Sequence, residues 1–488
     1  MFNKIVMKSI FLFGLLVIVS LGSCTIQEQE KPNILWIVAD DLGPDLGCYG
    51  NKSIHTPSLD KLALESIKFT ELHTVTAVCS PSRSALITGM YPCSIDCHQH
   101  RTKNKKNLPE GVKPITEYFK EAGYFVSNGD ATKPGMAGKT DYNFVGEDSV
   151  LFDGIDWNQR EAGQPFFAQM QIHFPHRPFK ADTINPVNRE KLKIPPIYPN
   201  HPVVKEDWAL YLESIQWVDG FVGKLMDRLE KEGLLKNTVV MFFGDQGRPM
   251  VRAKQFLYDA GTRTPFLLRL PNGELANTID TNLYSNIDIS ATSLKLAGIK
   301  VPSHIQGRDI LSDSKREVVF SMRDRRDETV DRIRSVRSKQ YKYIKNYYPE
   351  KAYTQFNAYK VWSYPTLALM KVMHKKGELK GVQESFMQAS RPKEELYNVV
   401  EDPYEMNNLA SHPEYNDVLE KHRMLLESHV AAYDKGVYPE DEKEIAYWSR
   451  FMHKMYIKRM NKYGLDEDCS DEELLDYWQK KLGVAIEE

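Results

Sequence analysis

Cysteine is scarce in this chain: six in 488 residues, at positions 24, 48, 79, 93, 97 and 469, with no Cys-x-x-Cys pair. That count excludes a disulfide-stapled scaffold and argues against a structural zinc site. An excess of one charge is also missing. Lys and Arg number 64 against 66 Asp and Glu, a net charge of −2, which excludes a strongly basic nucleic-acid binder and a long acidic tail. Beyond the N-terminal segment no apolar run approaches the ~18 residues a membrane-spanning helix needs. There is no internal repeat and no low-complexity tract. What is present is 42% hydrophobic and 27% charged residues, enough to bury a sizeable core. The length predicts two to four domains, or one large α/β unit with a smaller companion.

The N-terminal residues predict export. Lys4 and Lys8 precede an apolar run over 10–19, followed by Leu21-Gly22-Ser23-Cys24. This reads as a signal peptide, too short for a comfortable span. Leu-Gly-Ser-Cys resembles the bacterial lipobox, which implies lipidation of Cys24 after removal of residues 1–23. Residues 24–31 read as a polar tether. The expected location is the cell envelope, periplasm or outer-membrane surface, with the membrane reached only through the lipid.

Four apolar runs predict buried parallel strands: 33–39, 166–172, 238–243 and 264–270. Helical patterns lie between them, over 58–66 and 207–232. The alternation predicts an α/β fold, a large, mostly parallel sheet covered on both faces. From about residue 316 the texture changes to short strands (317–322, 333–337, 341–344), a smaller antiparallel subdomain. Helices are expected near 418–430 and in the charged, aromatic tail. The expected units are a main domain over 32–315, a C-terminal subdomain over 316–435 and a helical extension over 436–488.

Ligands of parallel sheets sit beyond the carboxyl ends of the strands. Three of the runs deliver polar residues there: Asp40-Asp41, His173 with His176, and Asp245-Gln246. Any one of them alone reads as a turn or cap. A further element is Cys79-Ser80-Pro81-Ser82-Arg83, where a loop gives way to a helix. Pro81 suits a first helical turn. Residue 79 is then expected beside free backbone N–H groups, where an anion is stabilised, with Arg83 one turn on.

Cys79-x-Pro-Ser-Arg followed by Leu86-Ile87-Thr88-Gly89 resembles the signature of the formylglycine-dependent sulfatases. The other elements of that family follow in order. Asn33-Ile34 leads to Asp40-Asp41-Leu42-Gly43. Thr56-Pro57 opens the helix with Asp60 and Leu62. His173-Phe174-Pro175-His176 and Gly244-Asp245-Gln246-Gly247 come next, then Lys254. Glu395-Leu396-Tyr397-Asn398 with Asp402-Pro403 closes the series. The resemblance spans roughly residues 31–430. It implies an alkaline-phosphatase-like fold and an enzyme that hydrolyses sulfuric esters. It implies Cα-formylglycine at Cys79, made by a sulfatase-maturation enzyme. It also implies one hard divalent cation, Ca²⁺, held by Asp40, Asp41, Asp245, Gln246 and residue 79. In the implied reaction one hydroxyl of the hydrated aldehyde attacks sulfur and displaces the leaving group. The other hydroxyl then loses its proton as sulfate departs. Arg83, Lys139, His176 and Lys254 are the implied partners of the sulfuryl oxygens and the leaving group.

The sequence departs from the family pattern in two places. Gln246 stands where Asn or His is usual. After Gly138-Lys139, Asp141 stands where a histidine would come, so Asp141 is a candidate for its role. Lys139 is preferred over Lys133 as the active-site lysine. The cluster Cys93-x₃-Cys97-His98-x-His100 lacks a second half for a metal site, and a disulfide so closely spaced would be strained. His98, Arg101 and Lys103, with His100, are expected to line the substrate pocket. The basic runs 323–325 and 332–337 read as added positive charge or as solvated faces.

The expected substrate is a sulfated oligo- or polysaccharide, either an O-sulfate ester or, as in the sulfamidase branch, N-sulfoglucosamine. The competing readings are a phosphodiester or phosphonate monoester hydrolase of the same fold, and a non-catalytic glycan-binding lipoprotein. Retention of Cys79, Arg83 and three aspartates argues against the last.

Overall fold

The structure is a computed structural model that describes residues 31–146 and 148–485. The signal-peptide region and Cys24 lie outside the described residues. The apolar runs form the middle of a seven-stranded sheet: β1 Asn33–Ala39, β2 Ile67–His73, β3 Phe125–Asp130, β4 Phe166–Ile172, β5 Thr238–Gly244, β6 Arg263–Arg269 and β7 Thr278–Ser285. The order is β3-β4-β1-β5-β6-β2-β7. All pairings are parallel except those of β6, which runs antiparallel to both β5 and β2. The run at 264–270 was expected to be parallel; full burial on both faces, which made it look so, is set by its central position and not by its direction.

Side chains of β1 alternate between two cores. Leu35, Ile37 and Ala39 join the apolar stripe of the long helix Pro202–Lys231. Ile34, Trp36 and Val38 face the helices Cys79–Thr88, Ile115–Glu121 and Ile287–Leu296. Trp36 packs edge-on to Phe167 and Phe243 from its two neighbouring strands. The register matters for the site. Ala39 pairs with Ile172 of β4 and Gly244 of β5. The residues just beyond, Asp40, His173 and Asp245, therefore emerge side by side at one edge of the sheet.

The second sheet is antiparallel, in the order β11-β10-β9-β8, with β8 Val318–Arg323, β9 Ile333–Ser338, β10 Tyr341–Asn346 and β11 Glu394–Asn398. Val336, Tyr343 and Leu396 on one side pack against Leu419 and Leu426 of the helix Asn416–Tyr433. Ile333, Ile344 and Tyr397 on the other side join the main core. Between β10 and β11 lies an insertion with the helices Ala358–Ser363, Pro365–Lys375 and Val382–Met387. The tail forms the helices Glu442–Tyr463 and Asp471–Leu482, the latter opened by a Ser470/Glu473 capping box. Among the described residues no helix is long and apolar enough to cross a membrane.

The basic runs at 323–325 and 332–337 are neither solvated faces nor free positive charge; even the partly exposed Arg332 reaches Asp434 at 3.5 Å. Arg323 pairs with Asp331, Arg334 with Asp324 and Asp434, Arg325 with Glu440, and Arg337 with Glu71 and Asp259. These four arginines are buried. A guanidinium is tolerated there because each is matched by carboxylates.

Candidate active site

The site grows out of the carboxyl edge of the sheet. Asp40 continues the β1 ladder, its N–H donating to the carbonyl of Ile172 at 3.0 Å. Asp41 then turns into the left-handed region with φ 67°, and its N–H donates to Asp245 Oδ1 at 2.9 Å. Asp245 and Gln246 follow β5 directly. Gly247 lets the chain pass close by residues 260–261, where a Cβ would stand 2.4 Å from the Ala260 carbonyl. Cys79 is the first residue of the helix Cys79–Thr88, at the end where free N–H groups favour negative charge. The carboxylates of Asp40 and Asp41 and the Cys79 sulfur lie within 4.8 Å of one another.

Three cations enclose this acidic group. Lys139 Nζ reaches both oxygens of Asp40 at 3.0 and 2.8 Å. Lys254 Nζ reaches both oxygens of Asp41 at 2.8 and 2.6 Å. Arg83 donates from Nε to Asp245 Oδ2 at 2.8 Å and from Nη1 to Gln171 Oε1 at 2.8 Å. Three carboxylates and three cations cancel formally. Lys254 sits in a loop with two left-handed non-glycine residues, Arg252 at φ 58° and Gln255 at φ 77°. Such backbone persists only where its surroundings hold it. Here the Arg252 guanidinium donates to the carbonyls of Tyr404 and Glu405, and the Gln255 N–H donates to the Ala77 carbonyl at 3.0 Å.

The charges shift one another. Burial alone would raise the Asp40 carboxyl, but Lys139, His176, Arg83 and Lys254 hold it well below the usual range. Asp245 is pushed up to about 7 by burial and by Asp40 and Asp41, against the pull of Arg83. Burial works against the Lys254 ammonium, yet Asp41 and Cys79 keep it well above its ordinary value. Burial, with Lys254, lowers His176 to about 4, so its imidazole is neutral. Burial raises the Cys79 thiol despite Lys139 and Lys254.

The donors fit a hard cation. Three carboxylates and one amide offer oxygen, and Gln246 Oε1 is buried without a hydrogen-bond partner. The amide end as placed turns its nitrogen toward Asp41 Oδ1 and, at 3.1 Å, toward Cys79 Sγ. Rotating that end by half a turn presents the oxygen instead, an assignment that the two ends' equal shape leaves free.

Of the other residues singled out in the sequence, His176 and Asp141 adjoin this centre. His176 Nε2 lies 3.8 Å from Asp41 Oδ2 and 3.5 Å from the Tyr359 hydroxyl. His173 pairs instead with Asp130 at 2.9 Å. Asp141 receives both Nε and Nη2 of Arg101 at 3.0 and 3.1 Å and stands 3.9 Å from Lys139. Lys133 is not in the carboxylate cluster; its N–H caps Asp130. His98 is buried beneath Tyr438, and Lys103 packs its ammonium over the Tyr447 ring at 4.5 Å. Cys93 and Cys97 are free thiols. Sequence reasoning missed Gln171, although a glutamine inside a buried apolar strand is itself a signal of a polar partner. It also missed Tyr359 and Arg326, whose guanidinium lies 4.5 Å from the Tyr359 ring. Both lie in the smaller subdomain, and no sequence pattern marked them.

Comparison with known proteins points to one family. The Sulfatase family profile matches residues 32–299. A second profile, N-sulphoglucosamine sulphohydrolase, C-terminal, matches 251–388. An ulvan-active sulfatase of Formosa agariphila is 33% identical over 476 residues, covering 86% of this chain and 78% of the relative. Human N-sulphoglucosamine sulphohydrolase is 26% identical over 465 residues, covering 82% and 89%. Among solved structures, a putative sulfatase from Bacteroides thetaiotaomicron superposes with a TM-score of 0.64 at 21% identity, covering 85% and 96%.

Proposed function

The chain belongs to the sulfatase family, enzymes that hydrolyse sulfuric esters, and from this we propose that it removes sulfate groups from sulfated polysaccharide with Cys79 as formylglycine and Ca²⁺ as cofactor. The observation that carries the reading is the convergence of Asp40, Asp41, Asp245, Gln246 and Cys79 under Arg83, Lys139 and Lys254. Asp40, Asp41, Asp245 and Gln246 would hold the cation, which when bound supplies positive charge to polarise a sulfuryl oxygen and acidify a hydroxyl. Oxidised to formylglycine, residue 79 supplies a hydrated aldehyde with one hydroxyl to attack sulfur and a second whose ionisation expels sulfate.

The chain's own side chains do the rest. Lys139 and Lys254, kept charged by their carboxylates, neutralise sulfuryl oxygens as charge develops. Arg83 holds Asp245 and the Gln171 amide in place. His176 Nδ1 is paired with the Arg177 carbonyl, so Nδ1 carries the hydrogen and Nε2 the lone pair. Nε2 can then take a proton and return it to the departing oxygen. Arg101 keeps Asp141 ionised at the rim beside Lys139, a fixed negative charge that orients sugar hydroxyls and repels a misplaced second anion.

The ulvan-active relative favours an O-sulfate ester on a polysaccharide; the sulphoglucosamine relative keeps an N-sulfate as the alternative. A phosphonate or phosphodiester hydrolase is disfavoured because the relatives close in sequence are sulfatases. Cys24 is proposed to carry lipid and tether the mature enzyme at the cell envelope. The test is mass spectrometry of residue 79 in active protein, paired with turnover of an aryl sulfate and an aryl phosphonate. Only unmodified cysteine at 79 in a fully active preparation, or preferential phosphonate turnover, would overturn the proposal.

A further inference from the structure

The helix Glu442–Tyr463 carries an unusual outer face. Its inner side is fixed by Trp448, Met452, Tyr456 and Met460, all buried. From Arg450 to Tyr463 there are five Lys or Arg residues and no acid. Among the described residues Arg450, Lys454, Lys458 and Lys462 take part in no ion pair, although the molecule elsewhere pairs most of its buried arginines with carboxylates. The excess is felt next door: after burial, Arg459 and Lys462 push down the ammonium of Lys481.

Arg450, Lys454 and Lys458 recur every four residues and share one face. With His453, Ile457 and Asn461 they line an open depression of about 460 Å³. At the N-terminal end of that face stand two aromatic rings, Tyr447 and Phe451, stacked at 6.2 Å, with Phe451 43% exposed. An exposed ring beside unpaired cations is the chemistry that receives a sulfated sugar. The ring takes an apolar sugar face and the cations take the sulfates.

The helix also adjoins the pocket rim. The Lys103 N–H donates to Glu444 Oε1 at 2.6 Å, two residues on from the Arg101 that clamps Asp141. Arg325 reaches Glu440 at 2.7 Å. Tyr456 packs on Phe356 at 5.5 Å, in the insertion that carries Tyr359.

We propose that the outer face of the helix Glu442–Tyr463 is a second binding surface, which holds the sulfated polysaccharide chain while one of its residues occupies the active site. The inference rests on the sulfatase reading for its ligand but on none of the residues that perform catalysis. The occupant is a polyanionic glycan and not an anionic lipid surface, because the aromatic pair and the cations run onward from the rim as one strip.

The experiment compares the full chain with the triple variant Arg450→Ser, Lys454→Ser, Lys458→Ser and with Phe451→Ser. Binding of ulvan and of heparin is measured by calorimetry at two salt concentrations in a Cys79→Ala background. The three cations are exposed and unpaired, so folding is retained; circular dichroism checks it. The triple variant is expected to bind polysaccharide about tenfold more weakly, with a shallower salt dependence, since fewer counterions are released. In the Cys79 form, KM for the polysaccharide rises by a similar factor, while an aryl sulfate, too small to reach the helix, turns over as before. Unchanged polysaccharide affinity, no polysaccharide binding by the unaltered chain, or a loss seen only on anionic phosphatidylserine vesicles would each overturn the inference. If the unaltered enzyme turns over no sulfate ester, the functional reading falls, while the calorimetry still decides this one.

Discussion

Replacing Lys254 by Met tests the electrostatics of the centre most directly. The ammonium touches both oxygens of Asp41, and both residues are almost wholly buried, at 1% and 0%. Methionine keeps the volume and removes the charge. Removing one partner of a buried ion pair leaves an uncompensated charge and costs about 3–5 kcal/mol. In the cation-free protein the variant should be destabilised by that order. The same change removes a positive charge that competes with a cation for Asp41, so Ca²⁺ should bind the variant more tightly. Each tenfold gain in affinity returns about 1.4 kcal/mol, and the deficit should shrink when Ca²⁺ is added. Turnover should nevertheless fall about 10²–10³-fold, the usual loss when one donor to developing charge is removed. The assays are urea denaturation in EGTA and in Ca²⁺, Ca²⁺ titration, and aryl sulfate kinetics. A deficit identical in EGTA and Ca²⁺, with unchanged Ca²⁺ affinity, would refute the placement of the cation against Asp41.

Three other outcomes are expected. With its carboxyl at about 7 in the cation-free protein, Asp245 holds a proton that the unfolded chain releases near pH 4. Cation-free stability should therefore fall as pH rises from about 4 through 7, and Ca²⁺ binding near pH 6 should release up to one proton, measurable by calorimetry in buffers of different ionisation enthalpy. Arg101→Ala frees Asp141 from its clamp and should raise KM for a sulfated oligosaccharide about tenfold while changing an aryl sulfate less; equal effects on both would show that the rim does not read sugar. Cys24→Ala should move the protein from the membrane fraction to the soluble one, and a soluble unaltered protein would end the anchor proposal.

The largely apolar runs that stop at Asp40, His173 and Asp245 were legible as strands with polar ends, because a strand buried on both faces is apolar along most of its length. The smaller sheet was legible at β8, β9 and β10 for its short strands and its meander. Strands β2, β3 and β7 were not legible. Their sequences are rich in Lys, Glu, Asn, Asp and Thr, and only their neighbours in the sheet make them strands. The direction of β6 was likewise invisible, since an apolar run reads the same both ways.

Which chemical groups would meet was already legible along the chain. Asp40-Asp41 and Asp245-Gln246 each follow a strand, Cys79 and Arg83 lie in the first turns of a helix, and parallel strands in register must bring their ends to one edge. How these groups are balanced emerges only on folding. Lys139 on Asp40, Lys254 on Asp41 and Arg101 on Asp141 join residues 40 to more than 200 positions apart. The same is true of the arginines at 323–337, which look like a solvated basic run and are mostly buried against carboxylates. Charge pairing in a folded protein depends on distance and desolvation, and neither is a property of neighbouring letters in the chain.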